Sequence, residues 1–314
     1  MRFLICLAAS LLLGGCASVL HDSAAGRLPD GRPRPTLVAE RRAIVLDGKL
    51  DDWKGAKFVT VTPENGVFDL ESGVTKDAAD VSYRFAVCHD GDALYVAVET
   101  TDDVLRQDDT RAGETHAMAW QDDAVEVFID GNRNRAPHAR SKDRAEYPFG
   151  GEFSLVANGS ATSNCTAWPD SFGKADHWQG ATSCEHLPDG SWTLRYEYRL
   201  TWKVMGGEVR PGDRIGFTIG IQDDDDGGKR DHALYWLGIT PHCWKDEAGW
   251  ATSISNPELP AERTHETDSD LSGGNRIVPH GHGGEATRVD RPGQTRRPAR
   301  SEGLLVGVRC GRLH

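Results

Sequence analysis

The chain has 314 residues, with 48 Asp and Glu against 36 Lys and Arg, a net charge of −12 and 38% hydrophobic residues. That balance excludes a binder built on phosphate neutralisation, which needs clustered Lys and Arg, so no nucleic-acid partner is expected. The length admits one large or two small domains, and seven Cys and nine Trp need an account.

At the N-terminus Arg2 precedes an apolar run from Phe3 to Leu13, which ends in Leu13-Gly14-Gly15-Cys16. The run is shorter than the ~20 residues a membrane-spanning helix requires. A basic start, a short apolar stretch and small residues before the cut are the layout of a signal peptide, here over 1–15. Cys16, directly after Gly15, reads as the lipid-bearing first residue of a mature bacterial lipoprotein in the cell envelope. Acyl chains would then hold it to the membrane, at about 0.8 kcal/mol per buried CH₂. With Ala17 rather than Asp after Cys16, an outer-membrane destination is expected where the host has one. Residues 16–40, rich in Pro, Gly and Arg, read as a flexible tether.

From 41 to 255 the chain is dense in alternating apolar residues, and the period is two. Val81, Tyr83, Phe85 and Val87 alternate with Ser82, Arg84 and Ala86. A turn at His89-Asp90-Gly91-Asp92 leads into Leu94, Val96 and Val98, which makes a hairpin. Val125, Val127 and Ile129 alternate with Ala124, Glu126 and Phe128, then stop at Asp130-Gly131-Asn132. Trp192, Leu194, Tyr196, Tyr198 and Leu200 repeat the pattern, as do Ile215, Phe217, Ile219 and Ile221. A helical turn is expected only around Thr201 to Met205. Strands with one polar face each predict an all-β, antiparallel β-sandwich of immunoglobulin or jelly-roll type over 41–255. No Phe, Trp or Tyr follows Trp250, and 256–314, dominated by Gly, Pro, Arg and His, read as a disordered tail.

Four Cys fall in the sandwich: Cys88, Cys165, Cys184 and Cys243. An even count in an exported chain predicts disulfides. Cys165 and Cys184 lie on two expected neighbouring strands and form the favoured pair, which leaves Cys88 with Cys243. Zinc is the alternative, and the lack of any Cys-x₂-Cys spacing weighs against it.

The run Asp223-Asp224-Asp225-Asp226-Gly227-Gly228 offers hard oxygen ligands for Ca²⁺, with Asp223 and Asp225 as the candidate pair. It is not an EF-hand loop, because Leu234 stands where the closing Glu belongs. A solvated acidic turn is the other reading. No Gly-x-Ser-x-Gly, His-Glu-x-x-His or phosphate-loop motif occurs, and Asp122 and Asp123 point to opposite faces of a strand. A non-enzymatic chain is expected.

Five pieces in order carry a resemblance. They are Ile44-Val45-Leu46-Asp47-Gly48-Lys49-Leu50-Asp51-Asp52-Trp53; His89 through Val98, ending near Asp102-Asp103; Trp120 through Asp130; Gly212 through Phe217; and Trp236 with Trp244. In this order they resemble a family 9 carbohydrate-binding module, a β-sandwich, over roughly 41–255. The resemblance implies a mono-, oligo- or polysaccharide partner, a place beside polysaccharide-degrading enzymes, and structural Ca²⁺. It also implies that Trp120 and Trp244 clamp a sugar ring while Asp102 and Glu126 accept from its hydroxyls. The physics agrees. A pyranose rests its C–H face on an indole ring, and an ionised carboxylate accepts from two adjacent hydroxyls. The chain departs from the family pattern in two places. Ser154 stands where a basic residue should follow Phe153, and Pro241 replaces an amide three residues before Trp244. A rival reading is a haem b electron-transfer sandwich, with Met118, His116, Met205 or His232 as axial ligands. A structural surface lipoprotein is a third.

Overall fold

A computed structural model of the chain describes residues 26–69, 73–115, 118–135, 149–165, 172–206 and 212–255, except for the side chains of 164, 165, 254 and 255. Cys16, His116 and the expected signal and tail therefore lie outside the described residues. Thirteen strands appear: β1 (Thr36–Arg41), β2 (Val59–Val61), β3 (Val67–Phe68), β4 (Val81–His89), β5 (Ala93–Asp102), β6 (Ala124–Asp130), β7 (Gly150–Val156), β8 (Ala161–Cys165), β9 (Trp178–His186), β10 (Trp192–Thr201), β11 (Arg214–Asp223), β12 (His232–Tyr235) and β13 (Ala251–Ser255). One sheet runs β8-β7-β6-β11-β13-β1, with β12 beside β11 and β3 beside β12. The other runs β1-β4-β5-β10-β9, with β2 beside β4. The predicted sandwich is the observed fold.

The alternation read from the sequence sets which face of each strand points inward. Tyr83, Phe85, Val96 and Val98 from one sheet meet Val125, Val127, Phe217 and Ile219 from the other in a single buried cluster. Phe85 stacks with Phe217 at 6.0 Å and meets Trp236 edge-on at 5.0 Å. Three tyrosines tie the layers with polar tips. Tyr83 donates to Ile219 O at 3.0 Å, Tyr198 to Val125 O at 2.7 Å and Tyr196 to Asp123 O at 3.3 Å. Each hydroxyl is thereby satisfied where water cannot reach it. The expected hairpin turn is present: Asp90 Oδ1 accepts from the Asp92 and Ala93 amides, and Gly91 takes φ +108°. The expected helical turn is a 3₁₀ turn over Trp202–Met205.

The sandwich begins earlier than residue 41. β1 pairs parallel to β13 through Thr36 to Ala39 and parallel to β4 through Glu40 and Arg41, so one strand joins both sheets at a corner. These are the parallel pairings among the described strands. Leu28 is buried, and Arg34 donates to Ala248 O at 2.9 Å and to Trp250 O. The end of the expected tether is thus part of the fold. Its Pro and Arg content hid a short strand whose partners are remote in sequence.

Each outer face is partly covered, beyond the simple inside–outside reading, while Arg84, Glu99 and Arg195 keep a polar stretch on the first of them. On one sheet the small residues Ala86, Ala93 and Ala97 receive Trp53, so the Ile44–Trp53 motif packs as a cover. Glu197 fastens this cover. Its Oε2 accepts from the Asp47 and Gly48 amides at 3.0 and 2.7 Å, and its Oε1 from Trp53 Nε1 at 2.8 Å. On the other sheet Phe128, Ala233, Tyr235, Cys243 and Trp250 form an aromatic layer. Cys88 belongs to the first outer layer and Cys243 to the second, and both are free buried thiols. The expected Cys88–Cys243 disulfide is therefore corrected. Two Cys on the opposite outsides of a sandwich cannot reach the ~5.5 Å Cα separation a disulfide needs. Cys184 is disulfide-bonded, and the side chain of its expected partner Cys165 lies outside the described residues.

Candidate functional site

The outer face of the β6–β7–β11 sheet carries a polar cluster under the aromatic layer. Register places Gly220 and Ser154 directly beside Glu126 on the two neighbouring strands. Alternation then puts Gln222 and Glu152 on the same face. Glu126 is 3% exposed, so its carboxylate has to find partners within the protein. Gln222 Nε2 donates to its Oε2 at 2.7 Å, and the Tyr235 hydroxyl stands 3.4 Å from the same oxygen. Ser154 Oγ lies 3.3 Å from Glu126 Oε1 and 3.4 Å from Glu152 Oε1. Burial pushes the Glu126 carboxyl well above the ordinary range, the Glu152 charge adds to this, and the Arg230 charge pulls the other way.

Two tryptophans adjoin this cluster through different partners. Trp120, half-buried on a 3₁₀ turn before β6, lies 5.5 Å from the guanidinium of Arg230. Arg230 Nη1 donates to Gln222 Oε1 at 2.7 Å, so a relay runs from Trp120 to Glu126. Trp244, also half-buried, packs on the layer that holds Tyr235, with Lys245 Nζ 4.7 Å from its ring. An apolar ring face beside fixed acceptors and donors is what a sugar ring needs.

A second cluster sits where β5 ends, β6 begins and β11 ends. Carboxylate oxygens of Asp102, Asp123 and Asp223 lie within 4.8 Å of one another, and all three residues are buried. Asp123 accepts from the Asp224 amide at 2.9 Å and from the Arg106 amide, while Asp102 accepts from the Val104 amide at 2.8 Å. Asp223 Oδ2 is buried with no hydrogen-bond partner among the described residues. Burial first, and the crowding of like charges after it, raises all three carboxyls. Asp80, Asp103 and Asp225 form an adjoining set.

The structure thus connects Glu126 with Trp120 and with the layer that carries Trp244. It places Asp102 in the carboxylate cluster, where its described contacts are to Val104 and neighbouring acids. Asp223 and Asp225 fall in two different sets, not one. Pro241 lies half-buried in the turn that precedes Trp244. The haem-ligand candidates are scattered among the described residues. Met205 is fully buried in the core, Met118 is exposed, and His232 Nε2 is 3.5 Å from Asp80. Gln222, Arg230, Tyr235 and Glu152 were missed from sequence. Gln222 could have been found, because it continues the polar phase of β11 as Glu126 does that of β6.

Residues 46–254 match the family described as carbohydrate family 9 binding domain-like. Exoglucanase XynX of Acetivibrio thermocellus is 25% identical over 224 residues, which are 71% of this chain and 17% of that protein. Endo-1,4-beta-xylanase A of Thermotoga neapolitana is 24% identical over 204 residues, 64% of this chain and 16% of that protein. The chain therefore matches only about a sixth of the length of these curated relatives. A carbohydrate binding module family 9 from Caldicellulosiruptor kristjanssonii in complex with cellotriose is similar at a TM-score of 0.51 and 19% identity, over 72% of this chain and 97% of that one. A module of the same family and organism in complex with glucose gives a TM-score of 0.51 and 18% identity, over 73% and 100%. At this identity the likeness is one of fold.

Proposed function

The chain belongs to the carbohydrate family 9 binding domain-like family, and we propose that its outer-face cluster binds one sugar ring between Trp120 and Trp244. The observation that carries the reading is Glu126, buried on a sheet face with Gln222, Tyr235 and Ser154 around it, linked to Trp120 through Gln222 and Arg230 and lying below the layer on which Trp244 packs. A ring stacked on indole would turn its hydroxyl edge to these groups, donating to Glu126 and accepting from the amide of Gln222 once the side chains that bury them shift aside. The domain is a binding module and the proposed action is capture, without bond cleavage. Glucose and cellotriose, held by the structural neighbours, are the first ligands to try. Calorimetry should show Trp120→Ala and Trp244→Ala each losing at least about tenfold in affinity, since large aromatic rings dominate small sites. Trp202→Phe, outside the site with its Nε1 on Gly91 O, should bind as wild type. Folded Trp120 and Trp244 variants with undiminished affinity would remove the clamp.

A divalent cation at Asp102, Asp123 and Asp223 is proposed as a structural partner. Three convergent carboxylates and an unpartnered buried oxygen suit a hard ion such as Ca²⁺, which would supply charge neutralisation and join the ends of three strands. A lipid on Cys16, supported by the Leu13-Gly14-Gly15-Cys16 run, would hold the module at the cell envelope. Cys16→Ser should then shift the protein from the membrane to the soluble envelope fraction.

A further inference from the structure

We infer that Arg230 is itself a ligand-contacting residue of this site, donating to hydroxyl oxygens on the rim of the sugar ring. The inference rests on the sugar-site reading above and adds a donor to it. Position 154 faces Glu126 with a hydroxyl and no charge. The cationic donor of the cluster comes instead from the loop between β11 and β12.

Three observations place Arg230 in that role. Its guanidinium lies over the Trp120 ring, 5.5 Å from the centroid, so the cation is held against the indole proposed to take the sugar. It has five N–H donors, and Nη1 donates to Gln222 Oε1. No other hydrogen bond of Arg230 is made among the described residues, and the side chain is half-buried rather than solvated. The remaining donors are therefore held near the site and not consumed by it. The third observation is the order of polarity along the relay. Arg230 donates to the Gln222 carbonyl oxygen, which turns the Gln222 amide nitrogen toward Glu126. Donor and acceptor ends thus lie in a row, Arg230 at one and Glu126 at the other. A vicinal diol presents both kinds of group: one hydroxyl can accept from a guanidinium while its neighbour donates to a carboxylate.

The loop that carries Arg230 is anchored at both ends. The Asp224 amide donates to Asp123 Oδ1 at 2.9 Å, and the Asp231 amide to Asp223 O at 2.7 Å. Between them the Gly227 amide donates to Asp224 Oδ1 at 2.9 Å, and the Asp225 amide to Asp231 Oδ2 at 2.9 Å. An arginine on so tethered a loop gives up less conformational freedom on binding than one on a free loop.

A holding role and a contacting role separate in a double-mutant cycle on the full chain, with glucose and cellotriose as probes in calorimetry. If Arg230 touches the ligand, Arg230→Ala weakens binding about tenfold, and weakens it severalfold again in a Gln222→Ala background. If it only orients Gln222, Arg230→Ala has no effect once Gln222 is Ala, and the inference falls. Arg230→Lys keeps charge without the planar fork and should recover only part of the loss. Full recovery would overturn the diol geometry. Thermal melting confirms that each variant is folded. A chain whose affinity drops with Trp120→Ala but not with Arg230→Ala keeps the sugar site and loses this inference. A wild-type chain that binds neither probe loses both.

Discussion

Gln222 Nε2 stands 2.7 Å from Glu126 Oε2, across two strands whose register sets Gly220 beside Glu126. The amide supplies a close donor to a carboxylate that is shut off from water. Gln222→Leu should therefore cost about 1–3 kcal/mol in denaturant unfolding, the range for a buried group stripped of its partner. The double variant Glu126→Leu with Gln222→Leu should be milder than Gln222→Leu alone, because no orphaned buried carboxyl remains. Sugar binding should weaken in the single variant and be lost in the double. Equal destabilisation by the single and double variants would show that the bond is incidental.

How far this pair was legible in sequence depends on which structural level is asked about. Alternation in β6 turned Glu126 away from Val125 and Val127, and that phase is what the structure has. The same rule applied to Ile215 through Ile221 reaches Gln222. The match of Gly220 with Glu126 is a long-range register, and no local pattern encodes it. β1 was hidden for a related reason. Thr36–Arg41 is short, sits among Pro and Arg, and is stabilised by β13 and β4, both far along the chain. The Cys88–Cys243 pairing failed because elimination carries no geometry: Cys88 on β4 and Cys243 in the turn before Trp244 lie under separate outer covers. Asp102 looked like a site acceptor by position, yet it ends β5 in its inward phase and meets Asp123 and Asp223.

The carboxylate cluster makes a cation measurable by stability. Calcium binding only the folded state stabilises it by RT ln(1 + [L]/Kd), about 2.7 kcal/mol at a hundredfold excess over Kd. Melting should rise on adding Ca²⁺ to chelated protein and fall again with chelator. Asp223→Asn, which alters a carboxyl with an oxygen that has no partner among the described residues, should abolish the response. It should also melt above wild type in chelator, since one of three crowded like charges is gone. Identical melting of wild type in calcium and chelator would remove the proposed ion.

The two free thiols give a chemical check. Burial pushes Cys88 up to about 11 and Cys243 up to about 12, so both stay protonated and inert in the folded protein. Alkylation of native protein should leave both unmodified. After denaturation without reductant, mass spectrometry should find Cys88 and Cys243 alkylated and Cys184 protected. A disulfide-linked peptide containing both Cys88 and Cys243 would contradict the two-cover arrangement.

Glu197 tests the cover on the opposite sheet. Three donors favour its ionised form, but burial outweighs them and raises the carboxyl from 4.5 to about 7. The unfolded chain releases this proton near 4.5, so between the two values the folded state holds more protons. Stability from this group is full below about 4.5 and is lost as pH rises through about 7. Glu197→Gln keeps the shape and removes the titration. Wild type should therefore fall relative to the variant by up to about 3 kcal/mol between roughly pH 4.5 and pH 8. The loss should localise to the Asp47-Gly48 turn, where Gly48 at φ +76° has no room for a side chain: a Cβ would meet Thr182 O at 2.6 Å. The protection factors of the Asp47 and Gly48 amides, corrected for the intrinsic rise of exchange with pH, should fall over the same interval in wild type and stay level in the variant. A wild-type-minus-variant difference that is flat in pH would mean that the Glu197 carboxyl does not titrate in this range, and that its three donors outweigh its burial.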